Sequence, residues 1–162
     1  MSDILTPDSG ITIRRAQHPD DLDHMQKMLG YAAGGDTSDP LLPNYYSVLE
    51  DGLFDGVIAE APDQQPMGAA WFSYFTDDRP GNAQYGGYPE ITIAVEPDYR
   101  RKMVGRTLMN SLVSLANEKG VEGLALDVLV GNLKAENLYR SLGFKPCKQA
   151  FGGYQTMVLL LT

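Results

Sequence analysis

The segment from Ile91 to Leu115 holds a short alternating apolar run, a basic turn and an amphipathic helix in immediate succession. Ile91, Ile93 and Val95 alternate with Thr92 and Ala94, the pattern of a β-strand, and Pro97-Asp98 ends it. Val104, Leu108, Leu112 and Leu115 then mark one apolar stripe of a helix, which Lys119-Gly120 closes with a basic last turn and a glycine stop. Arg100, Arg101 and Lys102 stand between strand and helix, with Arg106 just inside the helix. A strand entering a helix in this way brings unpaired backbone N–H groups and the positive end of the helix dipole to one point. That point is an anion site, although a solvated basic helix start has the same composition.

The rest of the chain supplies the layers such a unit needs. Ile11-Thr12-Ile13 alternates as a short strand, and His18-Pro19-Asp20-Asp21 opens a helix with Leu22, Met25, Met28 and Leu29 at helical spacing. Residues 34–40, rich in Gly and Asp, break that helix, and a shorter helix follows over 45–49. Residues 57–61 and 67–75 form two strands joined as a hairpin, and the Gly-, Asp- and Asn-rich stretch 77–87 predicts a flexible loop before the strand over 88–95. The nearly continuous apolar run 124–130 predicts a strand buried on both faces. Asn132 caps a helix through Arg140 that Gly143 terminates, and strands over 144–149 and 154–161 complete the order β-α-α-β-β-β-α-β-α-β-β. The expectation is an α/β (α+β mixed sheet) architecture, a central mixed β-sheet flanked by helices, in one domain over 1–162 with residues 1–10 flexible.

Composition narrows the partners. Residues 1–99 carry 17 acids and 4 Lys+Arg, a balance of 4 − 17 = −13, while residues 100–162 carry 4 acids and 9 Lys+Arg, or 9 − 4 = +5. The sum, −8, argues against nucleic acid or an anionic membrane as partner, while the asymmetry suggests an anionic ligand on the second part and a cationic one on the first. No apolar run reaches the roughly 18–20 residues of a membrane helix, and the N-terminus lacks the marks of a secretory signal. Cys147 is the single cysteine, so neither an internal disulfide nor a zinc site is expected, and a reducing, cytoplasmic setting is.

Arg100-Arg101-Lys102-Met103-Val104-Gly105, led in by Val95, Pro97 and Tyr99, resembles the Gln/Arg-x-x-Gly-x-Gly/Ala motif of the GNAT superfamily of acyltransferases. Asn132-Leu133-Lys134-Ala135-Glu136-Asn137-Leu138-Tyr139-Arg140-Ser141-Leu142-Gly143-Phe144 is similar to the family's second block, Asn-x-x-Ala-x-x-x-Tyr-x-x-x-Gly-Phe. The resemblance implies a GNAT-like acyl-CoA N-acyltransferase fold and an N-acetyltransferase that uses acetyl-CoA as co-substrate, without a metal. It implies that the backbone of Arg101, Lys102, Met103, Val104, Gly105 and Arg106, with Arg100, cradles the coenzyme A pyrophosphate. It further implies that Ile93, Ala94 and Val95 bond the pantetheine arm as though it were an added strand, and that Asn132 and Asn137 reach the cofactor. Asn132 also reads as a plain helix cap. The departure is Met103, where the family has glycine. Methionine there is expected to narrow the turn or weaken cofactor affinity, whereas a helical backbone does not itself require glycine.

An alkylammonium, with a pKa near 10.4, must lose a proton before it can attack a thioester, so the site needs a base and an acid. Tyr139 is the acid the resemblance implies, and Glu90, at the entry to the motif strand, is the base candidate. Both have plainer readings, as a packed tyrosine and a solvated glutamate. Asp36, Asp39, Tyr45, Tyr46, Asp77, Asp78, Tyr85 and Tyr88 form an acidic, aromatic rim suited to a cationic amine, whether small molecule or protein. His18, His24 and Cys147 read as surface or packed residues. The alternative function is a non-catalytic acyl-CoA-binding regulatory module on the same fold, and a homodimer is the assembly that family habit suggests.

Overall fold

The computed structural model describes residues 4–6, 10–34, 37–100, 103–149 and 151–161. Eight strands form one sheet: β1 (Ile4–Thr6), β2 (Ile11–Arg15), β3 (Phe54–Glu60), β4 (Pro66–Ser73), β5 (Glu90–Val95), β6 (Gly123–Leu129), β7 (Lys145–Gln149) and β8 (Tyr154–Leu160). Their spatial order is β1-β2-β3-β4-β5-β6-β8-β7. Every neighbouring pair is antiparallel except β5 and β6, which are parallel and joined through a helix. The helices are α1 (Leu22–Ala32), α2 (Leu42–Glu50), α3 (Val104–Glu118) and α4 (Leu133–Ser141).

Strand alternation sorts the core into two layers. Val57, Ala59, Ala70, Phe72, Leu124 and Leu126 point to one face and pack with Leu108, Leu112 and Leu115 of α3 and with Tyr139 of α4. Ile58, Ala69 and Trp71 point to the other, where Met25, Met28 and Leu29 of α1 meet Tyr45 and Leu49 of α2. None of the described helices is long and apolar enough to cross a membrane.

Three details differ from the sequence expectation. Residues 4–6, expected to be flexible with the rest of 1–10, pair as a short antiparallel strand with β2, whose outer edge would otherwise be open. Helix α2 begins at Leu42 rather than residue 45, because Pro43 occupies its first turn, where a missing N–H costs nothing. The stretch 77–87, expected to be flexible, is tied down. Arg79 reaches Ser47 Oγ and Asp51 Oδ2 at 2.7 Å each, and the Asn44 side-chain amide donates to the Pro80 carbonyl at 2.9 Å. Gly81 and Ala83 are buried. Composition registers the polarity of such a loop but not its anchors on and just after α2, about thirty residues away.

Candidate active site

Helix α3 begins where expected after β5, with a backbone at its cap that was not. Met103 is the N-cap of α3 and has φ 62° and ψ 15°, the left-handed region. The position is therefore not helical, and the left-handed backbone itself accounts for a glycine there. The Met103 side chain is 66% exposed, so it points away from the turn instead of narrowing it. The first hydrogen bond of α3 runs from Thr107 N to Met103 O at 3.1 Å, which places the amides of Val104, Gly105 and Arg106 ahead of the helical ladder. Arg106 donates to Ser141 Oγ at 3.1 Å, tying α3 to α4. Arg100 turns back on the strand, donating to Val95 O at 3.0 Å with its guanidinium 5.5 Å from the centre of the Tyr31 ring. Arg101 and Lys102 lie outside the described residues.

Strands β5 and β6 pair at one register position, Glu90 with Ala125, and the Ala125 amide bonds the Pro89 carbonyl at 3.0 Å. Beyond it the strands diverge around a cleft of about 580 Å³, which Ile93, Val128, Asn132 and Tyr139 help to line. The Glu96 amide bonds Met67 O at 2.8 Å, so antiparallel alternation directs the backbone of Ala94 and Thr92 toward β4 as well. The intervening residues, Ile93 and Val95, turn their N–H and C=O groups toward β6 and the cleft. This corrects the expectation for Ala94, whose backbone is engaged with Ala69. Asn132 caps α4, its Oδ1 accepting from Ala135 N at 3.4 Å, and it also lines the cleft, so the capping role does not remove it from the cleft wall. Asn137 is exposed on α4 and is not among the lining residues.

Glu90 lies on the α1/α2 face, the same side as Ser73, with which it pairs across β4. It is 6% exposed. Tyr45 donates to its Oε2 at 2.5 Å and the Ala83 amide to its Oε1 at 2.9 Å. Burial pushes the carboxyl up to about 7, and the charges of Asp127 and Asp39 add to the rise, whereas the two hydrogen bonds oppose it. Asp127, two residues beyond Ala125, projects from the same face of β6, accepts from Thr156 Oγ1 at 2.6 Å and is also raised, first by burial. Tyr139 approaches from the opposite layer, its ring edge-on to Phe144 at 6.0 Å, and burial alone raises its phenol to about 12. The cleft is thus a slot through the sheet, with carboxylates on one side and a neutral phenol on the other.

Of the expected rim, Asp39 and Tyr45 line the cleft, while Asp77 and Asp78 are exposed elsewhere and Asp36 lies outside the described residues. The residues not foreseen are Asp127 and the pair Asn82 and Ala83. A lone acid in the otherwise apolar Leu124–Leu129 stretch was the available signal for Asp127; nothing local marks the other two.

The model of the acetyltransferase (GNAT) family matches residues 23–144. A ribosomal protein bS18-alanine N-acetyltransferase of Escherichia coli K12 is 46% identical over 54 residues, 33% of this chain and 36% of that protein. The chain thus spans about a third of the length of this curated relative. The crystal structure of a ribosomal-protein-alanine N-acetyltransferase from Brucella melitensis is 27% identical, with a TM-score of 0.66 over 92% of this chain and 99% of that one. A Salmonella typhimurium protein solved with its cofactor acetyl-CoA shares the fold at 21% identity, with a TM-score of 0.69 over 94% of this chain and 95% of its own.

Proposed function

This chain belongs to the acetyltransferase (GNAT) family, and we propose that it transfers the acetyl group of acetyl-CoA to a primary amine by direct attack in a ternary complex. The observation that carries this reading is the slot between β5 and β6, which a buried carboxylate enters from one face and a neutral tyrosine from the other. The residues present fit acetyl-CoA. Amides 104–106, with the Arg106 side chain close by, suit the pyrophosphate, the open groups of Ile93 and Val95 suit the pantetheine amides, and Asn132 lies beside that path. The thioester supplies an activated acyl group. The Val95 carbonyl accepts from Arg100, which leaves the Val95 N–H and both Ile93 groups for the ligand.

Glu90, ionised above about pH 7, takes one proton from the acceptor ammonium, directly or through one water. The freed nitrogen lone pair forms the new bond to the thioester carbonyl carbon, and the carbon–sulfur bond breaks with its electrons on sulfur. The nitrogen's second proton must reach that sulfur. A thiol has a pKa near 8.5, so a phenol raised to about 12 does not give up its proton outright. Tyr139 acts as a hydrogen-bond donor to the developing thiolate and as a conduit for the amine's second proton. The products are an amide and a free thiol, and the proton on Glu90 returns to solvent.

The acceptor this base suits best is the α-amine of a polypeptide. An α-ammonium titrates near 7.7–8.0 and a lysine or alkylammonium near 10.4, so a base near 7 meets a mismatch of about 1 unit in the first case and over 3 in the second. The E. coli relative's name points the same way. The test is free-thiol release from acetyl-CoA with three acceptors: a peptide with a free N-terminal alanine, the same peptide N-blocked but bearing a lysine, and a polyamine. Release with the first alone supports the reading. Release with the lysine peptide or polyamine alone overturns the acceptor class, and binding without release to any acceptor supports the non-catalytic module.

A further inference from the structure

The sequence placed Tyr45 on an acceptor rim, but its hydroxyl does something more specific. It donates to Glu90 Oε2 at 2.5 Å and accepts from the Asn82 amide at 2.8 Å, so one oxygen links α2, the 76–89 loop and the first residue of β5. The ring is held edge-on against Phe75 at 4.8 Å, and the Asn82 side chain continues the chain of contacts to Asp39 Oδ2 at 2.6 Å. Gly81 closes the back of the carboxylate: a Cβ there would lie 2.5 Å from Glu90 Oε1. Each carboxylate oxygen thus has one protein donor and retains lone-pair capacity for a proton arriving through the cleft.

We propose that Tyr45 is a positioning residue for the proton-transfer step, fixing the Glu90 carboxylate toward the cleft through a hydroxyl that the Asn82 amide holds in turn. The proposal rests on the reading of Glu90 as the base. Removing the hydroxyl leaves Oε2 buried without its donor, so the carboxylate can rotate and its charged form is disfavoured. The titratable or charged groups facing Glu90 are Tyr45 from α2, Asp39 from the turn before it and Asp127 from β6. The two acids already disfavour its charge, so Tyr45 is the side chain among these that favours it.

The test compares pH profiles of kcat/KM for the wild type, Tyr45→Phe, Glu90→Gln and the double variant, with acetyl-CoA affinity measured alongside. Tyr45→Phe should move the acid-side midpoint up by about one pH unit and lower kcat/KM at pH 7 about fivefold, with acetyl-CoA affinity unchanged. In the Glu90→Gln background the same change should cost less than about twofold, because the group it positions is gone. An unmoved midpoint, or an equal loss in both backgrounds, overturns the proposal. Should Tyr45→Phe not fold, 3-fluorotyrosine at position 45, a stronger donor of the same shape, should move the midpoint down, and no movement overturns the proposal. If Glu90→Gln itself keeps the wild-type acid-side limb, the assignment of Glu90 as base falls, and the proposal with it.

Discussion

Glu90 and Ala125 are partners at the one position where β5 and β6 pair, so the buried carboxylate stands at the apex of the splay between these strands. The strand pairing that anchors Glu90 is thus the same one that ends where the cleft begins. From there the carboxylate faces Asp127 across the gap, and burial raises the proton affinity of both acids, that of Glu90 to about 7.

Glu90→Gln is expected to lower kcat/KM by about 10²-fold or more at pH 8 and to remove the acid-side limb centred near pH 7. A steady-state pH profile with the N-terminal alanine peptide checks this; a retained limb would assign it to another group.

The same variant should be more stable than the wild type at high pH. The folded carboxyl titrates near 7 against an unfolded value near 4.5, so the folded state holds the proton more tightly. Its contribution is present in full below the unfolded pKa and is lost as pH rises through about 7. Thermal unfolding should therefore show a Tm gain for Glu90→Gln of a few degrees at pH 8 that shrinks toward pH 5. A gain that does not change with pH would contradict the assigned shift.

Tyr139→Phe should reduce kcat by about 10²-fold while leaving acetyl-CoA affinity and Tm nearly unchanged. Its hydroxyl makes no hydrogen bond to any described residue, so the fold does not depend on it. Calorimetric titration with acetyl-CoA beside turnover separates the two, and parallel losses in binding and turnover would count against a role at the sulfur.

Met103→Gly should stabilise the fold or leave it level, with acetyl-CoA affinity nearly unchanged, since the methionine side chain points away from the turn. A non-glycine residue in the left-handed region costs roughly 1–2 kcal/mol, partly offset by the glycine's greater freedom in the unfolded chain. Met103→Ala keeps the strained φ and removes only the exposed side chain. Equal Tm for the two variants would show that the left-handed backbone carries no strain that glycine relieves.

Gly81→Ala should be damaging despite its loop position. The added Cβ would sit 2.5 Å from Glu90 Oε1 and 2.6 Å from the Phe75 ring, so the loop or the carboxylate must move. A loss of about 10²-fold in kcat/KM is expected from the misplacement, with Tm lowered. Wild-type kinetics would mean that the loop does not hold Glu90 in solution.

Much of this was legible in advance for local reasons. The strand–turn–helix unit, the cap at Asn132 and the stop at Gly143 follow from periodicity and capping, which depend on residues a few positions apart. Tyr139 was singled out through the second motif, and Glu90 through its place at the entry to the strand that leads into the first. Met103 was only half legible: its departure from glycine was plain, but the left-handed φ that gives glycine its purpose appears only in the folded turn.

The amino-acid order by itself determined most of the elements, their sequence along the chain and some of the residues that reach the slot, because hydrophobic pattern and turn chemistry act locally. Tertiary structure alone decided what those residues can do. Tyr45 and Glu90 are 45 positions apart, and Asp127 lies on a strand beyond a whole helix. The proton affinity of Glu90 comes from the water these neighbours exclude and from the charges and donors they bring within reach. Desolvation and Coulomb energy depend on distance in space, which sequence spacing does not record.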